Sequence, residues 1–431
     1  MPIDPLAIAI LLGSFVVLIL LRIPVALALA LAALFEALYI GLPLTVVGQR
    51  MVAGLDTFAL LAIPFFILGG EIMGAGGISR RLIAFAGLLV GWVRGGLGMV
   101  NIGASTFFGA LSGSSVADVS AIGSVTIPMM KKRGYDTDYA VAVTVSGATQ
   151  AVMIPPSHNL IIYSMAAGGV SIGALFTAGI LPGILLGAAL MTLAYILAVK
   201  RGYPKEELVP LKDVPKIISD GLLSLLMPVI ILGGILSGVF TATESAAIAC
   251  LYAFVLTFFV YRDLPVKAMV PILQSSLRTL GVVLFIIAAA GAFGYFLAFL
   301  QVPALATDAL LGISDNVVVV LLLINLLLLA LGAIMDMAPL IVIMTPILLP
   351  VATGLGMDPV QFGIMLVLNL AIGLITPPVG NVLFVGCAIG RTSIEKVIKT
   401  VGLFLIPMLI VLLLITYVPF FSLALPDALG Q

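Results

Sequence analysis

Two stretches of this chain crowd oxygen atoms around interrupted backbone in apolar surroundings. The first, Leu111-Ser112-Gly113-Ser114-Ser115-Val116-Ala117-Asp118, puts three hydroxyls and a carboxylate beside a glycine. It is followed by Pro155-Pro156-Ser157-His158-Asn159, a Pro-Pro-x-x-Asn motif that recurs as Pro377-Pro378-Val379-Gly380-Asn381. Adjacent prolines remove two backbone donors and cannot continue a regular helix. In lipid that cost is tolerable only where the freed backbone lines a protein-enclosed cavity. Carbonyls released at such breaks, with serine hydroxyls, are ligands for a small hard cation such as sodium. Asp118 precedes Pro128 by 10 residues and Asp336 precedes Pro346 by 10, so the two regions read as a repeated unit. From those prolines to the Pro-Pro pairs the distances are 27 and 31, a difference that one short loop absorbs.

The second tip, Gly332-Ala333-Ile334-Met335-Asp336-Met337-Ala338-Pro339, has no hydroxyl and relies on carbonyls and Asp336. Its partner break adds Thr376; the first break offers Gln150, Ser157, His158 and Asn159. This pattern predicts one cation site per half and a substrate site between the tips. Ser114, Ser157, Asn159 and Asn381 are the candidate substrate donors, and Gly113 and Asp118 shape the first tip. Half-helix N-termini facing that gap favour an anionic group. Other readings stand beside these. The serines can serve close helix packing, and Asp118 can cap the tip. Glu244 reads as a helix cap after Thr241. Glu36 and Glu71 read as contacts to a neighbouring subunit or as interfacial groups. His158, the only histidine, reads as a structural hydrogen-bonder or a proton relay.

The elements that position these residues must cross a membrane. Of 431 residues, 62% are hydrophobic and 9% charged, with a mean hydropathy of +1.33 and no net charge. A soluble surface of this size needs far more polar cover, and nothing suggests a nucleic-acid partner. Cys250 and Cys387 lie in apolar runs and read as small core residues. The N-terminus lacks a basic flank and cleavage site, so the first apolar run reads as a retained span. Spans are predicted at about 5–22, 23–42, 57–78, 137–170, 172–199, 217–239, 243–262, 275–300, 357–390 and 400–425. Re-entrant hairpins are predicted at 96–131 and 315–352. Stretches 79–94 (with Trp92), 263–275, 303–313 and 391–399 read as interfacial. With both hairpins returning to the side they left, 18 of 19 Lys and Arg share one side and only Arg50 lies opposite. The positive-inside rule then places both termini on the outer, periplasmic face.

The expected fold is thus all-α and polytopic, with two inverted repeats joined by a basic linker near 200–216. Residues 1–95 and 201–314 supply scaffold spans and arms. Residues 96–200 and 315–431 supply hairpins, broken spans and following spans. Enzyme motifs are poor. Gly169-Val170-Ser171-Ile172-Gly173 matches a hydrolase pattern without a preceding strand, which leaves an intramembrane serine hydrolase as a competing idea. No Walker loop occurs, so an ion gradient is the expected energy source and no cofactor is expected.

The stretch Phe108-Gly109-Ala110-Leu111-Ser112-Gly113-Ser114-Ser115-Val116-Ala117-Asp118 resembles the large membrane subunit of tripartite ATP-independent periplasmic (TRAP) transporters. So do Gly238-Val239-Phe240-Thr241-Ala242-Thr243-Glu244-Ser245, Thr345-Pro346-Ile347-Leu348-Leu349-Pro350 and Ile375-Thr376-Pro377-Pro378-Val379-Gly380-Asn381. The resemblance covers essentially the whole chain. It implies an elevator fold in the bacterial inner membrane and sodium-coupled import of organic acids such as dicarboxylates, keto acids or sialic acid. It also implies a periplasmic binding protein and a small four-helix membrane subunit, here expected as a separate chain. Carried onto this sequence, the first sodium site takes Ser112, Ser115 and backbone from Gln150 to Pro155. The second takes Gly332, Asp336, Gly373 and Thr376. A stand-alone sodium/anion symporter of related fold is the alternative.

Overall fold

The computed structural model describes residues 4–205, 209–314 and 316–431. Among them every regular element is helical, apart from one isolated bridge between Arg94 and Lys205. Helices α1 (Pro5–Leu20) and α2 (Val25–Tyr39) pack together and are followed by α3 (Thr45–Leu55), which the sequence pattern does not reveal. Helices α4 (Ala62–Ala75) and α5 (Ile78–Val90) meet at a 75° bend, matching the expected span and interfacial arm. The first hairpin comprises α6 (Gly96–Ser112), α7 (Ser115–Asp118), a π-helical stretch Val119–Gly123 and α8 (Ser124–Lys132). Helices α9 (Thr137–Ala151) and α10 (His158–Ala166) are the two halves of a broken span, and α11 (Ile172–Lys200) follows.

Beyond the linker, of which 206–208 lie outside the described residues, come α12 (Val214–Leu236), α13 (Ala242–Val255), α14 (Met269–Phe299) and α15 (Val302–Ile313). The second hairpin is α16 (Val317–Gly332) and α17 (Met337–Gly354); the second broken span is α18 (Pro359–Gly373) and α19 (Asn381–Gly390). Helices α20 (Ile394–Tyr417) and α21 (Phe420–Ala428) close the chain. Six helices of the described residues are long and apolar enough to cross a bilayer, and a seventh span results if the bent α4–α5 pair counts as one.

Three boundaries differ from expectation. The stretch 263–275 largely belongs to α14, a single 31-residue helix, because Pro271 sits in its first turn, where no intrahelical donor is lost. The stretch 391–399 is mostly the start of α20. The last span ends at Tyr417, and α21 folds back onto α11 and α18.

Helices α9 and α18 form the centre: every residue of Tyr139–Ala151 and of Gln361–Gly373 is buried. A helix buried all round belongs to the core of a bundle, and alanine, glycine, serine and threonine along α9 permit close approach. Around them, Leu20, Val229, Leu251, Leu277 and Ile410 are exposed, as a lipid-facing surface requires. The halves also pack reciprocally. Helix α10 lies against α17, while α19 lies against α7 and the π-helical stretch.

The repeat register is cleaner than the sequence intervals suggest. Helix starts at Thr137 and Pro359, and at Ile172 and Ile394, differ by 222 residues, as do Pro155 and Pro377. The same offset pairs Ser114 with Asp336, the capping residues of the two returning arms, and Pro128 with Pro350. Both prolines then precede their Pro-Pro pair by 27 residues, so no loop has to absorb a difference. Pairing Asp118 with Asp336 is therefore a misregister of one helical turn.

Candidate functional site

Each hairpin tip is locked onto the break of its own half. At the first, Gly113 adopts φ +60°, and a Cβ there would lie 3.1 Å from Ser157 Cα and 3.2 Å from the Pro156 carbonyl. Conformation and contact together demand glycine. Asn159 donates its amide to the Gly113 carbonyl at 3.3 Å, and His158 lies beside the Ser112 backbone. At the second tip the lock is backbone to backbone: Val379 N–H donates to the Ala333 carbonyl at 3.1 Å. Gly332 and Gly373 touch so closely that a Cβ on Gly373 would lie 2.5 Å from the Gly332 carbonyl carbon. Both breaks carry a cis bond, at Pro155–Pro156 and Pro377–Pro378.

The proposed cation ligands divide into free and engaged groups. Ser115 is buried and its hydroxyl has no hydrogen-bond partner among the described residues. The Ser112 hydroxyl accepts from Ser114 N–H at 3.4 Å. The side chain of Gln150 points to α11, donating to the Gly183 carbonyl at 2.9 Å, so only its backbone faces the break. Asp336 accepts from Met337 N–H at 2.8 Å, capping α17. The Thr376 hydroxyl donates to the Ile372 carbonyl at 2.8 Å, leaving its lone pairs available. Asp118 does not cap the tip. It is fully buried one turn further on, accepting from Ser105 at 2.7 Å, while Ser114 caps the arm through Ala117 N–H.

A cavity of about 800 Å³ joins the two tips. The tips contribute Ser112, Ser114, Ser115, Asp336 and Met337, and the first break contributes His158 and Asn159. Helix α4 adds Glu71 and α14 adds Thr279 and Val283 as further walls. Two of the four proposed substrate donors, Ser114 and Asn159, line it. Ser157 and Asn381 do not; the Ser157 hydroxyl is buried without a hydrogen-bond partner among the described residues. Glu71 lies in the cavity wall. The hydropathy pattern gives no sign of this, because α4 is apolar on every side of it. Glu36 is buried, and its carboxylate oxygens have no hydrogen-bond partner among the described residues. Ser171 caps α11 through Ala174 N–H and does not line the cavity. Glu244 closes a capping box with Thr241, as expected.

Comparison with known proteins identifies the family. Residues 12–421 match the model of the tripartite ATP-independent periplasmic transporter DctM component. The chain belongs to that family. It is the large permease subunit of a TRAP transporter, a multi-pass membrane protein and not an enzyme. The permease is 42% identical over 380 residues to the sialic acid TRAP transporter large permease SiaM of Vibrio cholerae, covering 88% of this chain and 89% of that one. It is 36% identical over 433 residues to the C4-dicarboxylate large permease DctM of Rhodobacter capsulatus, covering 97% and 98%. Among solved structures, the YdaH transporter of Alcanivorax borkumensis aligns with a TM-score of 0.60 at 16% identity, over 90% of this chain and 88% of that one. That likeness concerns the fold alone.

Proposed function

We propose that the permease imports organic acids in symport with sodium, by an elevator movement of the two hairpins and broken spans against a scaffold that includes α4 and α14. The observation that carries this reading is the charge inventory of the cavity. Among the described residues its lining holds hydroxyls, the Asn159 amide, the His158 imidazole and two carboxylates, but no lysine or arginine. An anion in such a site meets only neutral donors and the N-terminal end of α17, so cations must accompany it. The buried, unpartnered Ser115 hydroxyl and the carboxylate of Asp336 are groups suited to hold them. Relatives named for sialic acid, C4-dicarboxylates, isethionate and 2,3-diketo-L-gulonate support an acid as cargo.

In the mechanism, sodium at each tip draws hairpin and break together and neutralises the oxygens that would repel an acid. The acid then seats against Ser114 and Asn159. The loaded hairpins move as a unit because the Gly113, Asn159 and Val379 contacts bind each tip to its own break. The halves are inverted, the termini lie on the periplasmic side of the inner membrane, and the basic loops lie inside. A periplasmic binding protein delivers the acid, and a small membrane subunit enlarges the scaffold. The test is uptake into proteoliposomes holding permease, small subunit and binding protein. Ser115→Ala should raise the sodium concentration for half-maximal uptake roughly tenfold, and Asp336→Ala by more, since a charged ligand is lost. Unchanged sodium dependence in both variants, or full uptake by the permease alone, defeats this reading.

A further inference from the structure

Two carboxylates line the cavity, and only one has a partner. Asp336 is met by Met337 N–H and, in the reading above, by a cation. Glu71 is half-buried on α4, one residue past Gly70, whose Cβ position lies 3.3 Å from Ser112 Cα at the first tip. No hydrogen bond or ion pair from any described residue reaches its side chain. A carboxylate accepts hydrogen bonds and donates none. It therefore rewards a cargo that brings a donor to it and penalises one that brings a second negative charge.

We infer that Glu71 sets the substrate class: the cavity selects hydroxylated monocarboxylic acids of the sugar-acid type over plain dicarboxylates. The inference rests on the cavity being the acid site. With the cargo's carboxylate against Ser114 and Asn159, the rest of the molecule shares the cavity with Glu71. A hydroxyl there donates to the carboxylate, and Thr279 on α14 offers a second polar contact. A distal carboxylate has no arginine or lysine to meet and lies beside an unpaired anion. The cavity also has room for a six-carbon chain, so volume does not favour a four-carbon acid.

The test measures binding to the purified permease–small-subunit complex in nanodiscs at saturating sodium, with gluconate and succinate as probes. The wild type should bind gluconate at least tenfold more tightly than succinate. Glu71→Gln, which keeps the shape and removes the charge, should lose most of that preference by improving succinate binding. Glu71→Asp, which retains the charge, should keep the wild-type order. Equal binding of both acids by the wild type overturns the inference, as does an unchanged ratio in Glu71→Gln. If Glu71 instead holds a coupling cation, the Gln variant needs more sodium for both acids alike, and the ratio stays fixed. Binding of neither acid by wild type or variants removes the acid site itself, and the inference with it.

Discussion

At the first hairpin tip the capping residue is Ser114; at the second it is Asp336, 222 residues later. The first hairpin keeps its carboxylate one turn deeper, where Asp118 is buried against Ser105 beside the π-helical stretch. At the same offset the second hairpin has Leu340, and the counterpart of Ser105, position 327, is also leucine. One backbone plan thus carries its charge in two places, at the surface of one tip and inside the arm of the other. The first tip offers the cavity neutral hydroxyls and the second a carboxylate. The comparison teaches that the repeat conserves where backbone is broken and leaves each half to supply its own oxygens.

The strongest way to break that equivalence is to fill the hairpin–break crossings. A Cβ on Gly109 would sit 2.5 Å from Ala151 Cα, and one on Gly373 would sit 2.5 Å from the Gly332 carbonyl carbon. In both places the obstacle is backbone, which cannot move aside as a side chain can. Gly109→Val and Gly373→Val should each cost about 3 kcal/mol or more, seen as loss of folded, monodisperse protein after extraction. Gly233→Ala, with nothing within 4 Å of the new methyl, should be neutral or slightly stabilising in thermal unfolding. If only one valine variant is damaging, the two crossings are not equivalent.

How much of this was legible beforehand depends on whether the signal is local. Proline pairs, serine clusters and apolar run lengths mark the breaks, tips and spans without reference to anything distant in sequence. The correct register was not legible. Asp118 and Asp336 are alike as residues, and only the capping geometry shows that Ser114 is the true counterpart. The π-helical stretch that follows Asp118 leaves no sequence trace. Glu71 was visible as an intramembrane acid, but its placement depends on how α4 packs against α6 and α14. Helix α3 escaped because an eleven-residue segment containing Gln49 and Arg50 has no run long enough to register as a span.

A second asymmetry lies at the membrane margin. Arg201, at the end of α11, bonds Asp136 and Asp138 on α9 and Thr400 on α20. The corresponding position in the second half, 423, is leucine. Arg201→Met should lower stability by about 2 kcal/mol, because it strands the partly buried Asp138. Thermal unfolding of Arg201→Met beside the wild type measures the loss, and an unchanged midpoint would remove this cluster from the account.

The smallest expected effect separates the two roles of one residue type at one register. Asp136 and Asp358 precede α9 and α18 at the 222-residue offset. Asp358 accepts from Val360 N–H at 2.7 Å and so caps its helix, whereas Asp136 makes no cap bond and turns to Arg201 and Tyr203. A cap needs only a short acceptor, so Asp358→Asn should be nearly neutral and Asp358→Ala should cost about 1 kcal/mol. An ion pair needs the charge, so Asp136→Asn and Asp136→Ala should be equally mild, within about 1 kcal/mol, since that carboxylate is largely exposed. The contrast lies in the Asn-to-Ala difference, present at 358 and absent at 136, and it is read from paired thermal unfolding curves. Should both positions show the same difference, Asp136 caps α9 after all, and the asymmetry at this margin reduces to Arg201 alone.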